Sequence, residues 1–346
     1  MISLSFSHKS RAGLGARPRT VARALVVATL ALVATGCVSK VTGNEGNLTF
    51  QYPADDSLLD FNKPIAIGAK LDIMVREVGG NNPTVELSGA TSDDPKVLAV
   101  RSFQGHTFVL EGIGDGSAMI EVTAKTSDGS IVKDSVNMLS RAAEVLKMRH
   151  YCTSESLGHY LVDQDIWIPY DLERKNGQSV IGYGYHPITI APAAALAINQ
   201  TDKDQVHFRF HTAATPQNAS LTSTIDSAKL SVQLHTQGEI DGAIMDGGDA
   251  ANKAQVALTH FVLIRPTFGG APICQANADF TAETTTADVC TVTALTAKRT
   301  GKDIETGYGW IQITGKKVGK CNFNVSFTKA NDGKGLVAPF EVNVIK

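Results

Sequence analysis

The sequence predicts an all-β protein built from short strands packed as sandwiches, and three observations lead there. Beyond the N-terminal leader no long stretch repeats apolar residues with a helical period; the helical candidates are short, Arg141 to Met148 and Ala191 to Ile198. Apolar and polar residues instead alternate over runs of roughly five to eight residues, bounded by Gly, Asp, Asn and Pro, as the short strands of sandwiches do. The chain also repeats itself: a segment starting at Phe108 returns near Trp310. Aromatic residues make up only 6% of the chain and the formal net charge is −2, which leaves no electrostatic footprint for nucleic acid.

In chain order, the first element is a leader, residues 1–36. Lys9, Arg11, Arg17, Arg19 and Arg23 precede the apolar run from Ala24 to Ala34. That run is about half of the roughly 20 residues needed to cross a bilayer, so it suits a signal region rather than a transmembrane helix. Thr35-Gly36-Cys37 follows, and the chain turns polar at once. These residues resemble a bacterial lipoprotein signal peptide with its lipobox. The resemblance implies cleavage before Cys37, acylation of that residue, and attachment to a membrane through lipid, which anchors without spanning. Val38 comes next, with no aspartate to suggest retention at the inner membrane, so the expected location is the cell envelope, lipid-anchored at the outer membrane, with the periplasmic or surface face open. Residues 37–47 read as a lipidated tether.

What remains, roughly 310 residues, is long for one hydrophobic core and comfortable for two or three domains. The expected limits are 48–141, 142–266 and 267–346. The outer two carry the repeat. Phe108 to Val122 lines up with Trp310 to Val325, placing Gly112 on Gly315 and Gly116 on Gly319. Each copy then has a turn, Ser127-Asp128-Gly129 or Asn331-Asp332-Gly333, and a closing strand, Ser135 to Met138 or Glu341 to Val344. Upstream, Lys96 to Val100 matches Asp288 to Val292. The paired glycines are expected to let two strands join at positive φ. Ser92-Asp93-Asp94-Pro95-Lys96-Val97-Leu98-Ala99-Val100, followed by Gly112 to Ala124, resembles a group 2 bacterial Ig-like domain. The C-terminal copy resembles the cysteine-bearing variant of such repeats. The fold class implied is tandem Ig-like β-sandwich domains after a lipoprotein signal peptide.

The middle region matches neither copy by eye but still reads as strands. Ile166, Ile168, Tyr170 and Leu172 share one face, as do Val206, Phe208 and Phe210, and Leu230, Val232 and Leu234. A second sandwich, also Ig-like, is the economical reading. With Cys37 assigned to lipid, Cys152, Cys274, Cys290 and Cys321 remain, an even number that suggests two disulfides in an exported chain, with three connectivities open. The family resemblance pairs Cys290 with Cys321, which leaves Cys152 and Cys274 for each other.

Sites are harder to read. His207, Arg209 and His211 fall on one face of a strand, and the plain reading is a wet polar face opposite Phe208 and Phe210. No Cys-x-x-Cys spacing points to zinc. Asp163 with Asp165, and Glu239, Asp241, Asp246 and Asp249, are acidic clusters that could serve calcium but also look like ordinary turns; no metal and no cofactor is expected. Trp167, Tyr183 and Tyr185 form a candidate ligand surface, set against core packing for at least two of the three. No catalytic motif is present. The function expected is a membrane-anchored, non-catalytic envelope module for binding, adhesion or structure, engaging envelope protein or glycan. The alternatives are an envelope enzyme or accessory with its site in the middle domain, or a subunit of a secretion or motility complex.

Overall fold

The alternation seen in the sequence is what builds each sheet. In β8 (Gly116–Lys125), Ala118, Ile120, Val122 and Ala124 turn inward and are buried while their neighbours face out. A computed structural model describes residues 40–52, 63–79, 83–247, 252–295 and 309–346; the leader, Cys37 and Asp249 lie outside these. The described chain is all-β. Its helical turns are two short 3-10 segments, Ala193–Ala195 and Gln237–Glu239.

The first sandwich contains β1 (Lys40–Thr42), β2 (Leu48–Gln51), β3 (Ile65–Ala66), β4 (Lys70–Glu77), β5 (Glu86–Ser92), β6 (Leu98–Gln104), β7 (Thr107–Gly112), β8 and β9 (Ile131–Arg141). One sheet runs β1-β2-β4-β7-β6 and the other β3-β9-β8-β5, with β3 parallel to β9. The middle sandwich contains β10 (Val145–Met148), β11 (Leu157–Leu161), β12 (Asp165–Glu173), β13 (Ser179–Val180), β14 (Ile188–Ala191), β15 (Leu196–Ile198), β16 (His207–Thr212), β17 (Asn218–Ser223) and β18 (Lys229–His235). Its sheets run β10-β12-β16-β15 and β11-β18-β17-β14, with β11 parallel to β18. The third contains β19 (Gly242–Asp246), β20 (Lys253–Gln255), β21 (Thr259–Phe268), β22 (Ala271–Pro272), β23 (Phe280–Thr284), β24 (Cys290–Leu295), β25 (Trp310–Gly315), β26 (Gly319–Phe327) and β27 (Leu336–Ile345). Its sheets run β19-β21-β25-β24 and β20-β27-β26-β23, again with the second strand parallel to the last. All three share one topology, the two-sheet arrangement of Ig-like sandwiches.

One corner recurs in all three and fixes their equivalence. Ile67, Val162 and Val256 each donate a backbone N–H to the last strand, at Arg141, His235 and Ile345 (3.0, 2.9 and 2.9 Å). The next residue, Gly68, Asp163 or Ala257, has positive φ (88°, 52° and 65°) and donates to Gly112, Ala213 or Gly315 (2.8, 3.1 and 2.8 Å). This crossing explains the first repeat glycine. A Cβ on Gly112 would stand 2.4 Å from the carbonyl oxygen of Ala66, and one on Gly315 would stand 2.7 Å from that of Gln255. Close backbone approach, not positive φ, therefore demands glycine there. Positive φ is needed instead at Gly129 and Gly333 (89° and 84°), in the turns before the closing strands.

Several expectations shift. Arg141 to Met148 is not helical: β9 ends there and β10 pairs with β12, because its apolar residues pack on the sheet. Ala191 to Ile198 holds one 3-10 turn between β14 and β15. Residues 242–266, expected in the middle domain, join the third sandwich, since β21 pairs with β19 and β25. Lys40–Thr42, expected in the tether, is a strand on β2. The turn after it is clamped by the buried Asp134 carboxylate, which accepts backbone N–H groups from Glu45, Asn47, Leu48 and Ser135 at 2.7–2.9 Å.

Adjacent sandwiches are joined at the same place twice, the first time by main-chain hydrogen bonds and the second by one such bond with the Gln275 and Gln164 side chains. After β13, residues 181–187 leave the middle sandwich and lie on the first. Ala66 N–H donates to Ile181 (2.8 Å), Ile181 N–H to Pro64 (2.9 Å), and Lys70 and Tyr183 exchange N–H···O bonds (2.9 and 2.8 Å). After β22, residues 273–279 leave the third sandwich and lie on the middle one. Cys274 N–H donates to His159 (2.7 Å). The Gln275 side chain accepts from Trp167 N–H (2.7 Å) and donates to Trp167 O (2.9 Å), as a strand would. Asn277 N–H donates to the Gln164 side chain (3.0 Å).

Two disulfides reinforce this plan. Cys290 and Cys321 are bridged, tying β24 to β26 across the third sandwich. Cys152 and Cys274 are also bridged, with Cα atoms 5.3 Å apart. Because Cys274 belongs to the segment that leaves the third sandwich, the second bridge staples two sandwiches together.

Candidate functional site

The middle sandwich presents a pocket of about 290 Å³ on the outer face of its β10-β12-β16-β15 sheet, lined by Asp165, Trp167, Ala197, Asn199, Arg209, Phe210 and His211. Strand alternation positions these groups. Phe208 and Phe210 point into the core, so His207, Arg209 and His211 face out. Cross-strand pairing sets Asp165 beside His211 and Trp167 beside Arg209.

Trp167 faces outward yet is buried. The Arg209 guanidinium covers its ring at 4.7 Å and the His207 ring lies 5.1 Å away, while the Gln275 amide occupies its backbone. A cation over an indole contributes about 1 kcal/mol or more when desolvated. Arg209 is held by Asp202 through Nε and by Asp204 (3.2 Å). Burial works against the Asp204 charge, but hydrogen bonds from His207, the Val206 N–H and Arg209 outweigh it and bring the carboxyl to about 2. At the rim, His211 contacts Asp165 (2.9 Å) and Asp163 (3.3 Å), and the Asp165 hydrogen bond is the main cause that raises its pKa. The result is a guanidinium paired with two carboxylates beside a His211–carboxylate rim, which offers hydrogen-bond donors and acceptors to a polar ligand.

The expected ligand surface of Trp167, Tyr183 and Tyr185 does not form. Trp167 is 2% exposed and Tyr183 is 8% exposed. Tyr183 belongs to the joint with the first sandwich, where its hydroxyl donates to Asp72 (2.5 Å) and Lys203 lies 5.3 Å over its ring and bonds the same carboxylate (2.5 Å). Burial, followed by the Asp72 hydrogen bond, raises the Tyr183 pKa and keeps the phenol neutral. Tyr185 packs over Gly68, its ring 3.1 Å from where a Cβ there would stand. The pocket residues that sequence reasoning missed, Ala197 and Asn199, join Asp165, named there only as part of an acidic pair, through sheet pairing; Asp202 and Asp204 just before β16 are the one local sign.

The acidic clusters are engaged in turns. Asp241 accepts from Gly269 N–H (2.6 Å), Glu239 from Thr236 N–H (2.8 Å), and Asp246 pairs with Arg265 (2.7 Å). Among the described residues no group of three or more His, Cys, Asp or Glu is arranged to hold a metal ion. No helix among them is long and apolar enough to cross a membrane.

A second hollow, of about 400 Å³, lies at the joint between the middle and third sandwiches, lined by Thr153, Glu155, Ser156, Leu157, His159, Ala271 and Pro272. Beneath it His159 Nδ1 and His235 Nε2 are 2.9 Å apart, with Phe268 against the His235 ring (4.0 Å) and Glu239 3.6 Å from His235 Nδ1. The contact needs one nitrogen with a proton and one without. Burial lowers the pKa of both rings, and for His159 the neighbouring His235 charge lowers it further. A histidine depressed in the folded state contributes stability above its unfolded pKa of about 6.5 and loses it as pH falls below that value. Thermal denaturation followed between pH 7.5 and 5 is therefore expected to show a loss that His235→Gln reduces; an unchanged loss in that variant contradicts the assignment.

No protein-family model matches the chain, and no curated protein matches it. Among solved structures it is similar to domains 4–9 of the surface layer protein SbsC, at 17% identity and a TM-score of 0.27, covering 88% of this chain but 46% of that one. The chain thus spans less than half of that fragment. It is also similar to the Escherichia coli adhesin FdeC, at 12% identity and 0.25, covering 82% of this chain and 95% of that one. A third is the Bacteroides ovatus SGBP-B in complex with a mixed-linkage heptasaccharide, at 10% identity and 0.27, covering 82% and 65%. At such scores these likenesses carry no weight for function.

Proposed function

We propose that this chain is an envelope lipoprotein, anchored by acylation at Cys37, that holds three Ig-like sandwiches in fixed succession and uses them to bind envelope protein or glycan without catalysis. The observation that carries this reading is the joint made twice at the same place, with hydrogen bonds to the main chain both times, which couples sandwich to sandwich as a scaffold needs. The domain limits that follow are 40–141, 145–235 and 242–345. The pocket at Arg209 and His211, on the middle sandwich, is the ligand position. Its groups are hydrogen-bond donors and carboxylates around a covered indole, fitting hydroxyl-rich groups.

Two readouts test it. Palmitate labelling in cells is expected for the full chain and absent for Cys37→Ser; label retained by that variant contradicts the anchor. Residues 38–346 immobilised on a support are expected to retain envelope glycan or protein, with retention cut about tenfold by His211→Ala, a loss of roughly 1.4 kcal/mol. Retention equal in the variant moves the ligand away from this pocket.

A further inference from the structure

We infer that the third sandwich carries an open copy of the joint, an acceptor for the docking segment of a β-sandwich domain in a partner protein. This is independent of the pocket on the middle sandwich. The shared corner aligns the three acceptor surfaces residue by residue. The position after the positive-φ residue is Ala69, Gln164 or Leu258, and the position three further on is Asp72, Trp167 or Phe261. In the two filled joints these positions are covered: Ala69 is 0% and Gln164 5% exposed, Asp72 holds Tyr183 and Lys203, and Trp167, its ring under Arg209 of its own sandwich, takes the Gln275 amide on its backbone. In the third sandwich Leu258 is 55% and Phe261 48% exposed. Apolar side chains thus stand in the open at the two places where the other sandwiches are capped.

The main chain agrees. Val256 N–H is spent on β27, so strand alternation turns the Gln255 N–H and the Lys253 carbonyl to the free side of β20. Their counterparts, the Ala66 N–H and the Pro64 carbonyl, are the groups that hold Ile181. The surface is an edge strand flanked by apolar side chains, which takes an extended segment by strand addition. Both existing occupants begin with isoleucine, Ile181 and Ile273, and both run for the residues between a short return strand and the next strand, 181–187 and 273–279.

A second copy of this chain cannot supply that segment. Its middle and third docking segments are engaged in its own joints. In the first sandwich the return part of the β4–β5 connection folds back on β4, with Glu77 N–H on Pro83 O (3.0 Å) and Thr84 bridged to Arg76, and only Val85 separates Thr84 from β5. The docking segments of the three described sandwiches being engaged, we assign the occupant to a sandwich domain of another protein.

The test uses residues 38–346, isotopically labelled, and the peptide Ser-Val-Ile-Gly-Tyr-Gly-Tyr-His-Pro, which reproduces residues 179–187, as probe. Saturable amide shifts are expected at Gln255, Leu258 and Phe261, with the peptide's Kd raised about tenfold or more by Phe261→Asp and, separately, by Leu258→Glu. Both residues are exposed, so melting temperatures of the variants should match the parent and are checked first. No shift at millimolar peptide, or shifts that survive both variants, overturns the proposal. Sedimentation showing self-association that Phe261→Asp abolishes also overturns it, by assigning the surface to a second copy.

Discussion

Replacing Cys152 and Cys274 together by serine is expected to cost about 5 kcal/mol, and to free the third sandwich to unfold before the other two. The bridge closes a loop with a sequence separation of 122, and constraint of the unfolded chain grows with loop length. It also pins the start of the docking segment, since Cys274 is both bridged and hydrogen-bonded to His159. The companion double replacement at Cys290 and Cys321, with a separation of 31, is expected to cost about 4 kcal/mol, and its effect should stay within the third sandwich. Denaturant unfolding followed by the near-ultraviolet signal and by limited proteolysis reads both. Equal loss of cooperativity in the two variants would show that the Cys152–Cys274 bridge has no special place at the joint.

Asp134→Ala is expected to cost about 4 kcal/mol, because it strips several backbone donors of their charged acceptor while they stay in a folded turn. The first strands, β1 and β2, should loosen first. Burial opposes the Asp134 charge, but the Glu45 side-chain and backbone hydrogen bonds, with those of Leu48 and Ser135, outweigh it and lower its pKa from 3.8. With the folded value below the unfolded one, the stabilisation is complete above the unfolded value and is lost as pH falls through the folded value. Chemical denaturation at pH 7 and pH 3 should therefore show a smaller difference between parent and variant at the lower pH. A constant difference contradicts the role of the charge. Asp134→Asn, which keeps one carbonyl acceptor, should fall between the two.

The strands were legible because alternation is a property of side chains. Phe208, Phe210, Leu230 and Val232 point inward as their spacing indicates. The outer repeat was legible because Gly112 and Gly315 are demanded by the same close crossing. The equivalence of the middle sandwich was hidden, since its corner uses Val162 and Asp163 where the others have Ile67-Gly68 and Val256-Ala257, and Ala213 replaces the glycine. The boundary near residue 242 was hidden for a different reason: the pattern of β19 and β21 shows that they are strands, but not which sheet they enter. The joints left least trace, because main-chain hydrogen bonds name no residue type. Tyr183 and Tyr185 therefore fit either a ligand surface or core packing in the sequence, while in the structure they lie at the seam between two sandwiches.

Amide hydrogen exchange on residues 38–346 tests the coupling of the sandwiches most directly. The account predicts that the amides of Ala66, Lys70, Ile181, Tyr183 and Cys274, all donors across a joint, are protected like those of the central strands β4 and β12. Exchange of these amides at the rate of surface turns such as Ser127 to Ser130 would contradict it, and would leave three sandwiches tethered only by chain and disulfide.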